Sequence, residues 1–118
     1  MVVPAELLDF ALELARRNDE PALRASVSRS YYAAFLHCRE AVVRQGAHFP
    51  GSGRAHQMVF DIVVRSDPLR GAQLRMLRNR RNVADYELLA PVTPLDALPA
   101  WMRATFVVGC DAGTVMRP

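Results

Sequence analysis

The chain has 118 residues and a formal charge of +3, and all 15 of its basic side chains are arginine. With 51% apolar and 23% charged residues it reads as one globular domain with a core of its own, which excludes a disordered chain. Its uncharged stretches, such as Leu88–Leu95 and Ala104–Cys110, fall far short of the ~20 apolar residues that span a bilayer.

Every segment has a helical period. Leu7, Phe10, Ala11 and Leu14 form one stripe of a helix from about Pro4 to Arg17, with Glu6 at its positive end. Acidic residues interrupt the N-terminal apolar residues, so no secretory signal is expected. A second helix runs from about Pro21 to Gln45, with Leu23, Val27, Tyr31, Phe35, Cys38 and Val42 in three- and four-residue steps. At 1.5 Å per residue it is about 37 Å long, enough to run the length of the domain. The glycines and proline of residues 46–53 predict a loop.

A short third helix spans about Arg54 to Val64. Ser66-Asp67-Pro68 restarts the chain as a fourth, with Asp67 as cap and Pro68 in the first position, running to about Glu87. Thr93-Pro94-Leu95-Asp96 is a near relative of the capping box and opens a fifth helix to about Gly113. Pro99 falls within its first turns or delays its start. This helix is apolar around most of its circumference, which places it at the centre of the bundle or beneath another subunit. No run alternates with period two, and no hairpin turn appears. The expected fold is all-α, an antiparallel bundle of four to five helices forming a single domain over residues 1–118.

Several chemistries lack their residues. His37, His48 and His56 share no i,i+4 spacing, and Cys38 and Cys110 are far apart without CxxC spacing, so no metal site and no cofactor are expected. Two buried thiols in a reducing compartment fit the cysteines better than a disulfide. Gly51-Ser52-Gly53 lacks the Lys of a phosphate-binding loop, and no Gly-x-Ser-x-Gly elbow is present.

Two segments carry concentrated polar and aromatic groups. In Ser26–Phe35, Arg29 and Tyr32 share a helical face, as do Ser28 and Tyr32. In Leu77–Leu88, Arg78, Asn82 and Asp85 lie on one face, with Arg81 and Tyr86 beside it. Arg81 with Asp85, and Asn82 with Tyr86, are at pairing distance in sequence. Arg65, Arg70, Arg75, Arg78, Arg80 and Arg81 fall within 17 residues against one acid, Asp67. Such a cluster permits binding to phosphates, which planar guanidinium forks grip bidentately. The plainer alternatives are tyrosines packed between helices and a solvated helix face.

The strings S-R-S-Y-Y-A-A-F and R-R-N-V-A-D-Y, with Arg54-Ala55-His56 between them, resemble in order and spacing the HEPN superfamily. More narrowly they are similar to small prokaryotic HEPN proteins, often encoded beside a minimal nucleotidyltransferase. The resemblance covers about residues 5–112. It implies a bundle of four or five helices, a homodimer, and RNA or nucleotide handling, with that nucleotidyltransferase as partner protein. It also implies the ribonuclease chemistry of the active members, in which Arg, a polar residue and a His cleave RNA without metal. Carried onto this chain, Arg81 takes the Arg place, Asn82 the polar place and Tyr86 that of the trailing aromatic. Asp85 stands where the His is expected. A carboxylate is ionised at neutral pH and donates no proton there, whereas His titrates near it. The expectation is a cytoplasmic RNA- or nucleotide-binding protein of a toxin–antitoxin or defence pair. Arg81 and Asp85 hold the catalytic positions, and Arg29, Tyr32, Arg78, Asn82 and Tyr86 bind substrate. The alternative is a non-catalytic helical dimerisation or partner-docking module.

Overall fold

The computed structural model describes residues 2–48 and 54–116, with side chains as far as Gly109. Among the described residues the fold is all-α, with five helices and no strand: α1 Pro4–Arg16, α2 Glu20–Arg44, α3 Ala55–Ser66, α4 Pro68–Tyr86 and α5 Pro94–Met116. The predicted loop over 49–53 and the Cys110 thiol lie outside the described residues.

Capping chemistry sets the helix starts. The Asp19 carboxylate accepts from the Ala22 N–H at 2.9 Å, and Asp67 accepts from the Arg70 N–H at 3.1 Å. At α5 the Thr93 hydroxyl accepts from the Leu95 N–H at 3.2 Å, while Asp96 accepts from the Thr93 N–H at 2.8 Å. This is the reciprocal closure that Thr93-Pro94-Leu95-Asp96 predicts. Asn18, with φ 59°, turns α1 into α2. Pro99 lies inside α5 rather than delaying it.

α2 runs antiparallel to α4, as the order of their contacts shows. Ala11 of α1 meets Ser26 of α2, whose hydroxyl donates to the Ala11 carbonyl at 2.7 Å. Along α2, Arg24 meets the carbonyl of Ala84, Ser28 meets Asp85, and Tyr31 lies beneath Arg81, so α4 descends as α2 rises. α3 and α4 form a tight corner. A methyl group at Gly71 would lie 2.6 Å from Val64 Cγ2 and 2.8 Å from Val64 Cα, closer than atoms pack, so only glycine admits this approach.

α2 touches all four other helices and is the central element. Its buried Val27, Tyr31 and Cys38 join Val59, Leu74 and Leu77 in one core. The buried face of α1 is Leu8, Ala11, Leu14 and Ala15, and Phe10 of the expected stripe is 48% exposed. The stripe turns because α1 packs against α5 as well as α2. The Trp101 indole N–H donates to the Leu8 carbonyl at 3.0 Å on that side. α5 is therefore not central. It rests on α1, α2 and α4 and leaves Leu95, Leu98, Met102 and Phe106 exposed.

One arginine fastens the end of α4. Arg24 of α2 donates to the carbonyls of Val83, Ala84, Glu87 and Leu88 at 2.9–3.4 Å, and also to that of Ala90. The last carbonyls of a helix have no partner within it and carry its negative dipole, and a guanidinium satisfies both needs. Glu20 orients Arg24 at 3.0 Å and accepts from the Val92 N–H at 3.2 Å. That backbone bond, with Arg24, holds the exposed Glu20 carboxyl below its usual range. No helix among the described residues is long and apolar enough to cross a membrane.

Candidate functional site

The antiparallel crossing of α2 and α4 sets Arg29, Tyr31 and Tyr32 opposite Arg81, Asp85 and Tyr86. The Arg81 guanidinium carbon lies 5.2 Å from the Tyr31 ring centre, 5.5 Å from Tyr32 and 5.7 Å from Tyr86. All three distances are within reach of a cation–π contact. Its side chain is only 12% exposed, and its Nε is buried without a hydrogen-bond acceptor. Asp85 approaches Nη1 at 3.9 Å, a loose ion pair, and the Tyr86 hydroxyl lies 3.4 Å from the same nitrogen. A buried guanidinium whose donors are only partly used is a ready anion-binding group.

Asp85 is held from α2 as well. Ser28 donates to it at 3.2 Å, and Arg29 donates to Ser28 at 3.4 Å while lying 5.1 Å above the Tyr32 ring centre. These groups edge an open groove of about 420 Å³ between α1, α2 and the end of α4, whose apolar wall is Phe10, Leu14 and Ala25.

The start of α3 contributes a group that the sequence leaves without a role. His56 stacks on Phe35 with ring centres 4.0 Å apart and 5° between planes. Its Nδ1 is 2.6 Å from the Tyr31 hydroxyl. Burial lowers the His56 pKa below its ordinary 6.5, and the charges of Arg78 and Arg81 push the same way. Burial pushes the Tyr31 phenol up to about 12, against the opposing pull of the two arginines. Near neutral pH, Tyr31 keeps its proton and His56 is neutral. Tyr31 O–H then donates to Nδ1, and the ring proton resides on Nε2.

The sequence-derived site divides in two. Arg29, Tyr32, Arg81, Asp85 and Tyr86 come together at the α2–α4 face. Arg78 and Asn82 lie on the flank of α4 that turns toward α3, where Arg78 sits 5.2 Å from the Phe60 ring centre. The Arg81–Asp85 approach is present, but Asn82 makes no bond to Tyr86, which lies near Arg81 instead. His56 joins the site from the third helix, against Tyr31 and Phe35 of α2. The Arg54-Ala55-His56 string marks where α3 begins, but helical periodicity within one segment carries no register against another.

Among the described residues no three His, Cys, Asp or Glu side chains gather as a metal site. What the cluster offers chemically is fixed positive charge, aromatic surface and one neutral imidazole. No family model matches this chain, and no curated protein or solved structure matches it at a significant level.

Proposed function

We propose that this protein binds RNA or nucleotide phosphates through the arginine–aromatic cluster of α2 and α4, as a HEPN-like component of a toxin–antitoxin or defence pair. The observation that supports it best is the largely buried Arg81 guanidinium, ringed by Tyr31, Tyr32 and Tyr86, whose buried Nε is left as an unused donor. Arg29 and Arg78 extend the charge to either side. Cations interleaved with aromatic rings suit single-stranded RNA, whose phosphates take the charge and whose unpaired bases stack. In this reading the protein is cytoplasmic and homodimeric, and its partner is a minimal nucleotidyltransferase.

The same reading extends to metal-independent RNA cleavage through a group that can move a proton. Asp85 is engaged by Arg81 and Ser28. His56 is the titratable imidazole of the cluster, oriented by Tyr31.

A second reading rests on α5. Leu95 is 85% exposed and Met102 63%, and with Leu98 and Phe106 they leave an apolar face suited to docking a protein. Salt separates the two. Phosphate binding weakens steeply as salt rises, because condensed counterions are released, and apolar docking does not. Fluorescence anisotropy with a labelled single-stranded RNA, repeated across salt concentrations, is the test. The proposal expects binding at low salt with log affinity falling linearly against log salt. Absence of binding at low salt would leave the docking reading.

A further inference from the structure

The flank of α4 that faces α3 carries a second concentration of polar groups. A groove of about 210 Å³ is lined by Gln57 and Phe60 of α3 and by Arg75, Arg78, Asn79 and Asn82 of α4. Among the described residues no carboxylate lines it. Asn79 and Asn82 are one turn apart and exposed, and their side chains make no hydrogen bond among the described residues. Gln57 spends its amide N–H on Asp61 at 2.9 Å, which leaves its carbonyl oxygen as an acceptor. Arg78 covers the buried Phe60 ring at 5.2 Å from its centre, and its charge also reaches Tyr31 and His56 of the neighbouring cluster. Arg78 thus lines the groove while its charge acts on the neighbouring Arg81 cluster.

We propose that this groove is a nucleobase-reading subsite for single-stranded RNA. The inference rests on the RNA-binding reading above and adds sequence preference to it. A side-chain amide presents an acceptor and a two-proton donor side by side, the pattern that pairs bidentately with a base edge. Two such amides from α4 and a carbonyl acceptor from α3 converge on one space. Unpaired RNA exposes its Watson–Crick and Hoogsteen edges to such groups and stacks its bases on guanidinium planes as readily as on aromatic rings. Arg78, packed on Phe60, supplies that plane, and Arg75 at the rim meets the adjoining phosphate. The division of labour is the usual one, with arginines giving affinity and amides giving preference.

The test measures binding of the full chain to labelled oligo(A), oligo(C), oligo(G) and oligo(U) of equal length. It is repeated with the Asn79→Ala/Asn82→Ala variant and with Arg81→Ala. Both asparagines are exposed and unbonded, and alanine favours the helix, so the double variant folds. The expected result is a spread of about tenfold or more between the tightest- and weakest-bound oligomers for the wild type. In the double variant that spread collapses to within about threefold. Arg81→Ala weakens all four oligomers while keeping their order. Equal binding of the four by the wild type, or a spread that survives in the double variant, overturns the base-reading subsite while RNA binding itself stands. Failure of all four to bind at low salt overturns the RNA-binding reading, and the subsite with it.

Discussion

The Tyr31 hydroxyl on α2 and His56 Nδ1 at the start of α3 lie 2.6 Å apart, across the face that Arg81 covers from α4. One hydrogen bond thus joins two helices beneath a cation. Both partners resist charging. Tyr31 is pushed up to about 12, and His56 is lowered, because burial penalises their ionised forms and the two arginines add to the cost at His56.

Acid stability follows from that pair. In the unfolded chain His56 takes up a proton near its ordinary 6.5, while in the folded protein it does so only at lower pH. Below 6.5 the unfolded state therefore binds more protons, and stability falls as pH falls through the window down to the folded value. Stability from this source is complete above the ordinary histidine range. Urea denaturation at a series of pH values is expected to show this decline, and His56→Gln is expected to flatten it. A decline equally steep in His56→Gln would assign it to other groups. NMR titration of the His56 ring should give a midpoint below 6.5.

Arg24 is expected to matter more for stability than its exposed-looking sequence context suggests. It donates to the Ala84 and Leu88 carbonyls at and just past the end of α4, and shares the Val83 carbonyl with the Glu87 N–H. Arg24→Ala should cost about 2–3 kcal/mol, since hydrogen bonds from a charged donor are lost and the carbonyls are left unpaired. Arg24→Lys should restore less than half, because an ammonium cannot span that many acceptors. Chemical denaturation of the two variants checks both values. Full rescue by lysine would show that charge alone holds the α4 terminus.

Gly71 is expected to tolerate no side chain. Its position leaves a methyl group 2.8 Å from the Val64 backbone, so Gly71→Ala must spread the α3–α4 corner. The expected cost is about 1–3 kcal/mol, as for other overpacked contacts. A thermal midpoint unchanged from wild type would mean that the corner opens freely.

The helices were legible because their signals are local. Asp19, Asp67 and Thr93 cap through bonds to residues two or three positions on, and such bonds show in a string of letters. The same holds for the approach of Arg81 to Asp85 within one helix. What was not legible depends on how helices dock. Arg24 bonds to carbonyls some sixty residues away, and nothing in its neighbours marks it. His56 enters the site because the α3–α4 corner folds α3 back along α4, which places it beside Phe35. Phe10 looked buried on a single stripe, but the contact of α1 with two helices turned that stripe by about one residue. The apolar surround of α5 left two places for it, the centre or beneath another subunit, and α2 holds the centre while α5 keeps an exposed apolar face.

In the proposed function the Arg81 guanidinium binds phosphate rather than serving as a packing element between tyrosines. The most direct test is the affinity of wild type and Arg81→Ala for one single-stranded RNA, measured by fluorescence anisotropy from low to moderate salt, with circular dichroism confirming that both are folded. The expected result is a loss of about tenfold or more at low salt and a log–log salt slope shallower by about one, the signature of one phosphate contact removed. Equal affinity and an equal slope in the two proteins would contradict it.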